Sequence, residues 1–417
     1  MRKGPRLLLL LCLAASPALA GPLPPVPVPA ENPITEPKRV LGKILFWDEQ
    51  LSSDGTVACG TCHRPGAGGG DPRAGRHPAV DKGTIDDVMG SPGIAALDRD
   101  GRARPHPLFG TAPQVTPRLA PSNFAAIWAD ELFWDGRARS ELKDPLTGKI
   151  AIARGGALEN QALAALLNET EMAKAGRSWP DVAADLTHAH PLALATSLPP
   201  DTEAAIARHS SYPALFEAAF GDRAITPLRT AFALATYQRT LVADETPYDR
   251  FAAGDAAALT GRALYGWRAL QAFHCTACHT PPLFTNNEFF QIGLRRADFD
   301  RGREDVTGDA EDAGEMKVPS LRNVALRARF MHTGEFTSLS AAIRFYINTL
   351  ALPERDGIPG AGLYTFNMSN VDETDLREFI ATGLTDPRVR DETFPFDRPV
   401  LRSERLASAG AAMIPSR

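Results

Sequence analysis

The sequence predicts a mostly α-helical fold in two halves of similar plan, separated by long loops. Three observations predict it. Apolar residues recur at helical spacing in several segments, sustained strand alternation is scarce, and one five-residue pattern, Cys-x-x-Cys-His, occurs twice, each time after a helical stretch. A composition of 44% hydrophobic and 23% charged residues excludes a disordered or fibrous chain, and 417 residues leave room for two or three domains.

In chain order, Arg2, Lys3 and Arg6 precede an apolar run from Leu7 to Ala15, and Ala18-Leu19-Ala20 stands before Gly21. This is the pattern of a secretory signal peptide cleaved after Ala20, which takes Cys12 with it. Its loss moves the formal charge from -5 to -8, which disfavours nucleic acid as a partner. No later apolar stretch is long enough to span a bilayer, so a periplasmic location is expected. Residues 21–34 form a Pro-rich extended leader. A helix opens at Thr35-Glu36-Pro37, with Val40, Leu41, Ile44 and Leu45 at helical spacing, and the first Cys-x-x-Cys-His follows. Gly66 to Gly110, rich in Gly, Pro, Asp and Arg, reads as long loops. Helical periodicity returns around Leu163–Leu167 and over Thr226–Leu241. Thr260 then caps a helix on which Leu264, Trp267 and Leu270 share a face, ahead of the second pattern. This predicts an N-terminal domain over 35–205, a C-terminal domain over 206–400 and a tail over 401–417.

The two patterns are Cys59-Gly60-Thr61-Cys62-His63 and Cys275-Thr276-Ala277-Cys278-His279, and they use every cysteine left after export. An even count in an exported chain ordinarily means disulfides. This spacing instead matches c-type haem attachment: two thiols a helical turn apart form thioethers to one haem, and the adjacent imidazole reaches the iron. A zinc site does not need a histidine directly after the second cysteine in both copies. The prediction is two c-type cytochrome domains, each with one covalently bound haem c, with His63 and His279 as iron ligands.

Several strings together resemble the bacterial di-haem cytochrome c peroxidases and their MauG-type relatives, over about Leu41 to Pro399. They are Leu41-Gly42-Lys43-Ile44-Leu45-Phe46, Leu132-Phe133-Trp134-Asp135-Gly136-Arg137, Lys317-Val318-Pro319-Ser320-Leu321-Arg322-Asn323 and Met331-His332-Thr333-Gly334. The resemblance implies that one haem cleaves peroxide while the other relays electrons. It implies that Glu171 and Gln161 are the acid-base pair beside the first haem, that Trp134 lies between the haems, and that Tyr346 ligates the second iron where most peroxidases have methionine. A phenolate favours ferric and higher states, and MauG-like members share it. Without the resemblance, Glu171 reads as a solvated helix residue and Tyr346 and Trp134 as core aromatics. Met316 and Met331 are competing ligands that fall outside the expected helix face. A proline common between the two acid-base positions is replaced by Ala165.

Many of these peroxidases carry a removable distal histidine after the first motif. The candidate here is His77, whose offset from His63 falls short of the family pattern. A solvent-facing loop histidine is the favoured reading, which leaves the first iron five-coordinate and needing no reductive activation. The family's calcium site uses an asparagine and backbone carbonyls. Leu119 stands at the asparagine position, and only the carbonyls of Arg327 and Arg329 remain, short of the several oxygens calcium prefers. His332 is expected to support a haem propionate or the loop fold.

The leading functional expectation is a periplasmic peroxidase that reduces hydrogen peroxide with electrons from a small c-type cytochrome or cupredoxin. The alternative is a MauG-like enzyme that uses high-valent haem to oxidise residues of a partner protein. Tyr346 favours it, and Phe273, at the position of the MauG-like exit tryptophan, opposes it. An alternative of another class is a non-catalytic di-haem electron carrier, in which Glu171 and Gln161 would have no use. A symmetric homodimer is the prior for assembly.

Overall fold

The computed structural model describes residues 21–78, 88–295, 297–347 and 368–412; the leader peptide read at residues 1–20 lies outside them. Helices of nine or more residues are α1 (Glu36–Trp47), α2 (Ala157–Leu166), α3 (Trp179–His188), α4 (Pro200–Arg208), α5 (Tyr212–Phe220), α6 (Pro227–Arg239), α7 (Gly261–Ala272), α8 (Leu339–Ile347), α9 (Asn370–Glu378) and α10 (Arg402–Ala412). Sheet among the described residues is confined to four two-stranded antiparallel ribbons. They pair β1 (Gly75–His77) with β2 (Val88–Gly90), β3 (Pro92–Ala95) with β4 (Pro113–Val115), β5 (Leu142–Lys143) with β6 (Ile150–Ile152), and β7 (Phe289–Phe290) with β8 (Met316–Lys317). The Gly66–Gly110 segment, read as loops, therefore holds β1, β2 and β3. Strands this short and rich in Gly and Pro leave no alternation to detect.

α1 begins where the sequence places it, with Thr35 extended before Glu36 and Pro37 in the first turn. Every residue from Lys38 to Trp47 is buried, so the helix is central and even its charged side is enclosed. Its charges are paired: Lys43 Nζ lies 3.0 Å from Asp201 and 2.9 Å from Asp397, and Arg39 lies 2.8 Å from Asp201. α1 crosses α6 at Gly42, where a Cβ would fall 1.9 Å from the Ala233 carbonyl oxygen. The plan repeats at the second motif. α7 crosses α9 at Gly266, where a Cβ would fall 1.9 Å from the Asp375 carbonyl oxygen. Each cysteine pair thus follows a helix that touches a later helix backbone to backbone.

There are two main cores. The first joins α1, Val182 and Leu186 of α3, Tyr212 and Phe216 of α5, and Leu234 and Tyr237 of α6 to Val389, Phe396 and Leu401. The second gathers Tyr248, Trp267, Leu270, Phe284, Ile343, Leu376, Phe379 and Leu384. Helices α5 and α6, expected beyond the 205/206 boundary, pack with the first core, and the break in packing falls between Ala243 and Tyr248. The leader and tail are docked as well. Asn32 is buried and donates to Glu159 at 2.9 Å, and Arg239 Nε donates to the Pro27 carbonyl at 3.1 Å. The tail forms α10, whose first free N–H groups, of Arg402 and Ser403, donate to the Glu49 carboxylate at 2.8 and 3.0 Å. Among the described residues no helix is long and apolar enough to cross a membrane.

Candidate haem sites and the junction between them

Cys59–Cys62 forms a single helical turn and Cys275–Ala277 a 3₁₀ turn, so each pair projects its sulfurs from one short coil, and all four thiols are free of disulfides. His63 Nδ1 lies 3.2 Å from the Gly69 carbonyl oxygen; His279 Nδ1 lies 3.2 Å from that of Phe284 and 3.1 Å from that of Pro319. A carbonyl only accepts, so Nδ1 carries the proton in both rings and Nε2 presents its lone pair. Burial also lowers both imidazole pKa values, keeping the rings neutral. A neutral imidazole fixed through Nδ1 is the arrangement of a metal-ligating histidine. Among the buried polar atoms without a hydrogen-bond partner are two neighbours after the second motif, His332 Nε2 and Thr333 Oγ1. A cofactor's carboxylates are groups that would satisfy such atoms. The residues present fit haem at both motifs.

Glu171 follows α2 in a tight turn, where Asn168 Nδ2 donates to its Oε1 at 2.9 Å. Burial pushes its carboxyl above the ordinary 4.5, against the pull of the Arg137 guanidinium. Its charge is felt at Cys59 and Cys62, which places it by the first cysteine pair. The β3 backbone presses on the same turn, since a Cβ on Gly93 would fall 1.9 Å from the Thr170 carbonyl oxygen. Gln161 lies half-buried on α2, and no hydrogen bond links it to Glu171. His77 ends β1 with its ring edge against Phe109, which stacks on His106.

Tyr346 sits on α8, where burial raises its phenol above the ordinary 10.0, and Cys278 and Cys275 lie close enough to add to the shift. Met331, expected outside the ligand face, puts its sulfur 3.9 Å from the Tyr346 hydroxyl, so both candidates share one place. It gets there because its backbone is left-handed (φ 65°). Met316 is instead a buried β8 residue opposite Phe290.

Trp134 is 8% exposed, donates from Nε1 to the Leu119 carbonyl at 2.7 Å, and lies 5.9 Å, centroid to centroid, from His332. A repeat that the sequence reading missed explains this pairing. The strings around Trp134 and His332 are alike: bridges Leu132–Ala138 and Phe330–Phe336, left-handed Phe133 and Met331, left-handed Gly136 and Gly334, and preceding 3₁₀ turns Ala126–Trp128 and Val324–Leu326. They also clasp each other reciprocally. The Leu119 N–H donates to the His332 carbonyl at 2.8 Å and the Lys317 N–H to the Trp134 carbonyl at 2.7 Å. The common offset of these residues was visible in the sequence, but the side chains differ at most matched positions, and only Pro121-Ser122 with Pro319-Ser320, Gly136 with Gly334 and Ser140 with Ser338 mark it. Arg118 closes the junction, bonded to Asp300 at 2.9 and 2.6 Å and to Asp135 at 2.5 Å. A separate cavity of about 970 Å³, lined by residues including Pro22, Asp249, Arg250, Leu326 and Arg390, reaches neither cysteine pair.

A helix-rich chain with two Cys-x-x-Cys-His turns and a tryptophan clasped at their junction is a haem oxidoreductase of peroxidase type. The chain belongs to the di-haem cytochrome c peroxidase family, whose profile matches residues 36–257. It is 29% identical over 380 residues to the methylamine utilization protein MauG of Methylophilus methylotrophus, covering 88% of this chain and 91% of that one. It is 27% identical over 344 residues to the cytochrome c peroxidase Ccp of Escherichia coli, covering 80% of this chain and 58% of that one. Among solved structures, a MauG-like protein associated with microbial copper homeostasis superposes with a TM-score of 0.61 at 24% identity, over 92% of this chain and 97% of that one. The di-haem peroxidase BthA of Burkholderia thailandensis superposes at 0.58 and 19% identity, over 89% and 91% of the two chains.

Proposed function

We propose that the protein is an exported, periplasmic enzyme with one haem c attached at Cys59 and Cys62 and another at Cys275 and Cys278, reducing hydrogen peroxide to water with electrons delivered through the second haem. The haem at His63 supplies an iron that binds peroxide and exchanges single electrons. His63, its Nδ1 fixed on the Gly69 carbonyl, would hold that iron through Nε2. Glu171 would take the proton from the inner peroxide oxygen and return it to the outer one, which leaves as water; two further protons and two electrons complete the second water. Gln161 is assigned to the same distal face by resemblance, and Trp134 carries electrons across the junction. The observation that carries the reading is Glu171, a buried carboxyl above its ordinary range beside the first cysteine pair. A buried acid-base carboxyl of this kind has no use in a mere electron carrier. The test is peroxide-dependent oxidation of a reduced small cytochrome or cupredoxin. Absence of turnover in protein that carries both haems would overturn the proposal.

A second reading, peroxide-driven oxidation of residues on a partner protein, is favoured by the Tyr346 phenol beside Cys275 and Cys278. Mass spectrometry of a partner after peroxide addition separates the two. His77 is read as a non-ligand, because its offset from His63 falls short of the family pattern.

A further inference from the structure

We infer that the guanidinium of Arg327 stands where relatives hold a calcium ion, giving this chain a built-in cation at the junction of its two cores. The calcium site implied by resemblance does not fit these residues. Leu119, at the asparagine position, is 1% exposed and offers hydrocarbon; its carbonyl already accepts from Trp134. The Arg329 carbonyl is taken as well, by Arg327 Nε at 3.3 Å, while Arg327 Nη2 donates to the Ala120 carbonyl at 2.7 Å. Among the described residues there is no group of three or more His, Cys, Asp or Glu side chains able to hold a metal. The Arg329 carbonyl, which would face a metal ion, faces a guanidinium instead.

The guanidinium is also built in sterically. It presses on the glycine loop after the first motif, where a Cβ on Gly70 would fall 2.0 Å from Arg327 Nη1 and one on Gly68 3.1 Å from Arg327 Cγ. That loop holds Gly69, whose carbonyl fixes the His63 ring. Nη1 is enclosed and has no hydrogen-bond partner, and buried Asp71 supplies opposite charge nearby. Burial lowers the guanidinium pKa to about 10, which still leaves it charged at neutral pH. A dication placed beside it would meet a like charge with little solvent to screen it. The two carbonyls and the proximal loop are thus held by one fixed positive charge, and the junction is insensitive to calcium.

The test is read in metal content and haem spectra, so it stands apart from any failure of the peroxidase proposal. The holoprotein, dialysed against calcium and then buffer, should hold less than about 0.1 calcium per chain by elemental analysis. EGTA should leave its electron paramagnetic resonance spectrum unchanged. One tightly held calcium per chain, or a spectrum altered by EGTA and restored by calcium, would overturn the inference. Arg327→Ala should perturb the signal of the first haem, and millimolar methylguanidinium should recover it; no perturbation in folded, haem-loaded protein would count against the assignment. The double variant Leu119→Asn/Arg327→Thr should take up about one calcium per chain, and failure of a folded double variant to do so would mean that ion and guanidinium do not share a place. If neither variant folds, the unaltered holoprotein still decides.

Discussion

Glu171 and Tyr346 illustrate what a single side chain reveals and conceals. Glu171→Gln keeps the shape and removes the exchangeable proton, so peroxide turnover should fall by about 10²–10⁴-fold with both haem spectra retained. In the intact enzyme the rate should rise with pH through an ionisation above 4.5, and the variant should lose that limb. The stability sign is opposite. The folded-state pKa is raised, so the protonated carboxyl favours the fold, and that contribution disappears as pH climbs through the raised value. Denaturant titrations of Glu171→Gln at several pH values should show this dependence removed. Replacing Tyr346 with Phe should change the visible and resonance spectra of the second haem alone; unchanged spectra would hand ligation to Met331, whose sulfur is 3.9 Å away. The sequence identifies the residues but not that proximity. Helical spacing places Tyr346, while Met331 arrives through a left-handed backbone position that no periodicity encodes.

At the scale of elements, the helices before the two motifs were legible because α1 and α7 carry apolar residues at helical spacing and have Thr35 and Thr260 in front. Their role was not. The four-residue apolar spacing in α1 suggested one buried face, whereas the helix is enclosed on every side and its Lys43 and Arg39 are neutralised by Asp201 and Asp397, residues far away in the chain. Gly42 is the residue that allows the crossing, and Gly42→Ala should destabilise the protein by about 1–3 kcal/mol through overpacking, seen as a lower thermal midpoint of the haem absorbance. The Pro-rich leader likewise looked like a free spacer. Its anchor is Glu159, paired with Arg239 at 2.6 Å with both side chains almost fully buried. Removing one partner strands the other, so Glu159→Ala should cost about 3–5 kcal/mol in denaturant unfolding and leave residues 21–34 open to proteolysis.

For the molecule as a whole, the sequence sets the expected divide at 205/206, whereas α5 and α6 pack with the first core, because nothing in their own residues tells which core they join. The clasp of Trp134 and His332 was hidden for a related reason. It is built from backbone hydrogen bonds between Leu119, His332, Lys317 and Trp134, which side-chain identity does not specify. Trp134→Phe should slow delivery of electrons across the junction while each haem keeps its own spectrum, measured by mixing reduced enzyme with peroxide under stopped flow; an unchanged rate would place the route elsewhere.

The second core draws its buried residues from between Tyr248 and Leu384, while the first needs Val389, Phe396 and Leu401, from beyond it, and has Glu49 seated on the start of α10. One globule is therefore an insert within the other, and the earlier-synthesised portion is the later to be finished. The first core is thus closed by residues far in sequence from His63, and the chain must be nearly whole before Val389, Phe396 and Leu401 can complete it.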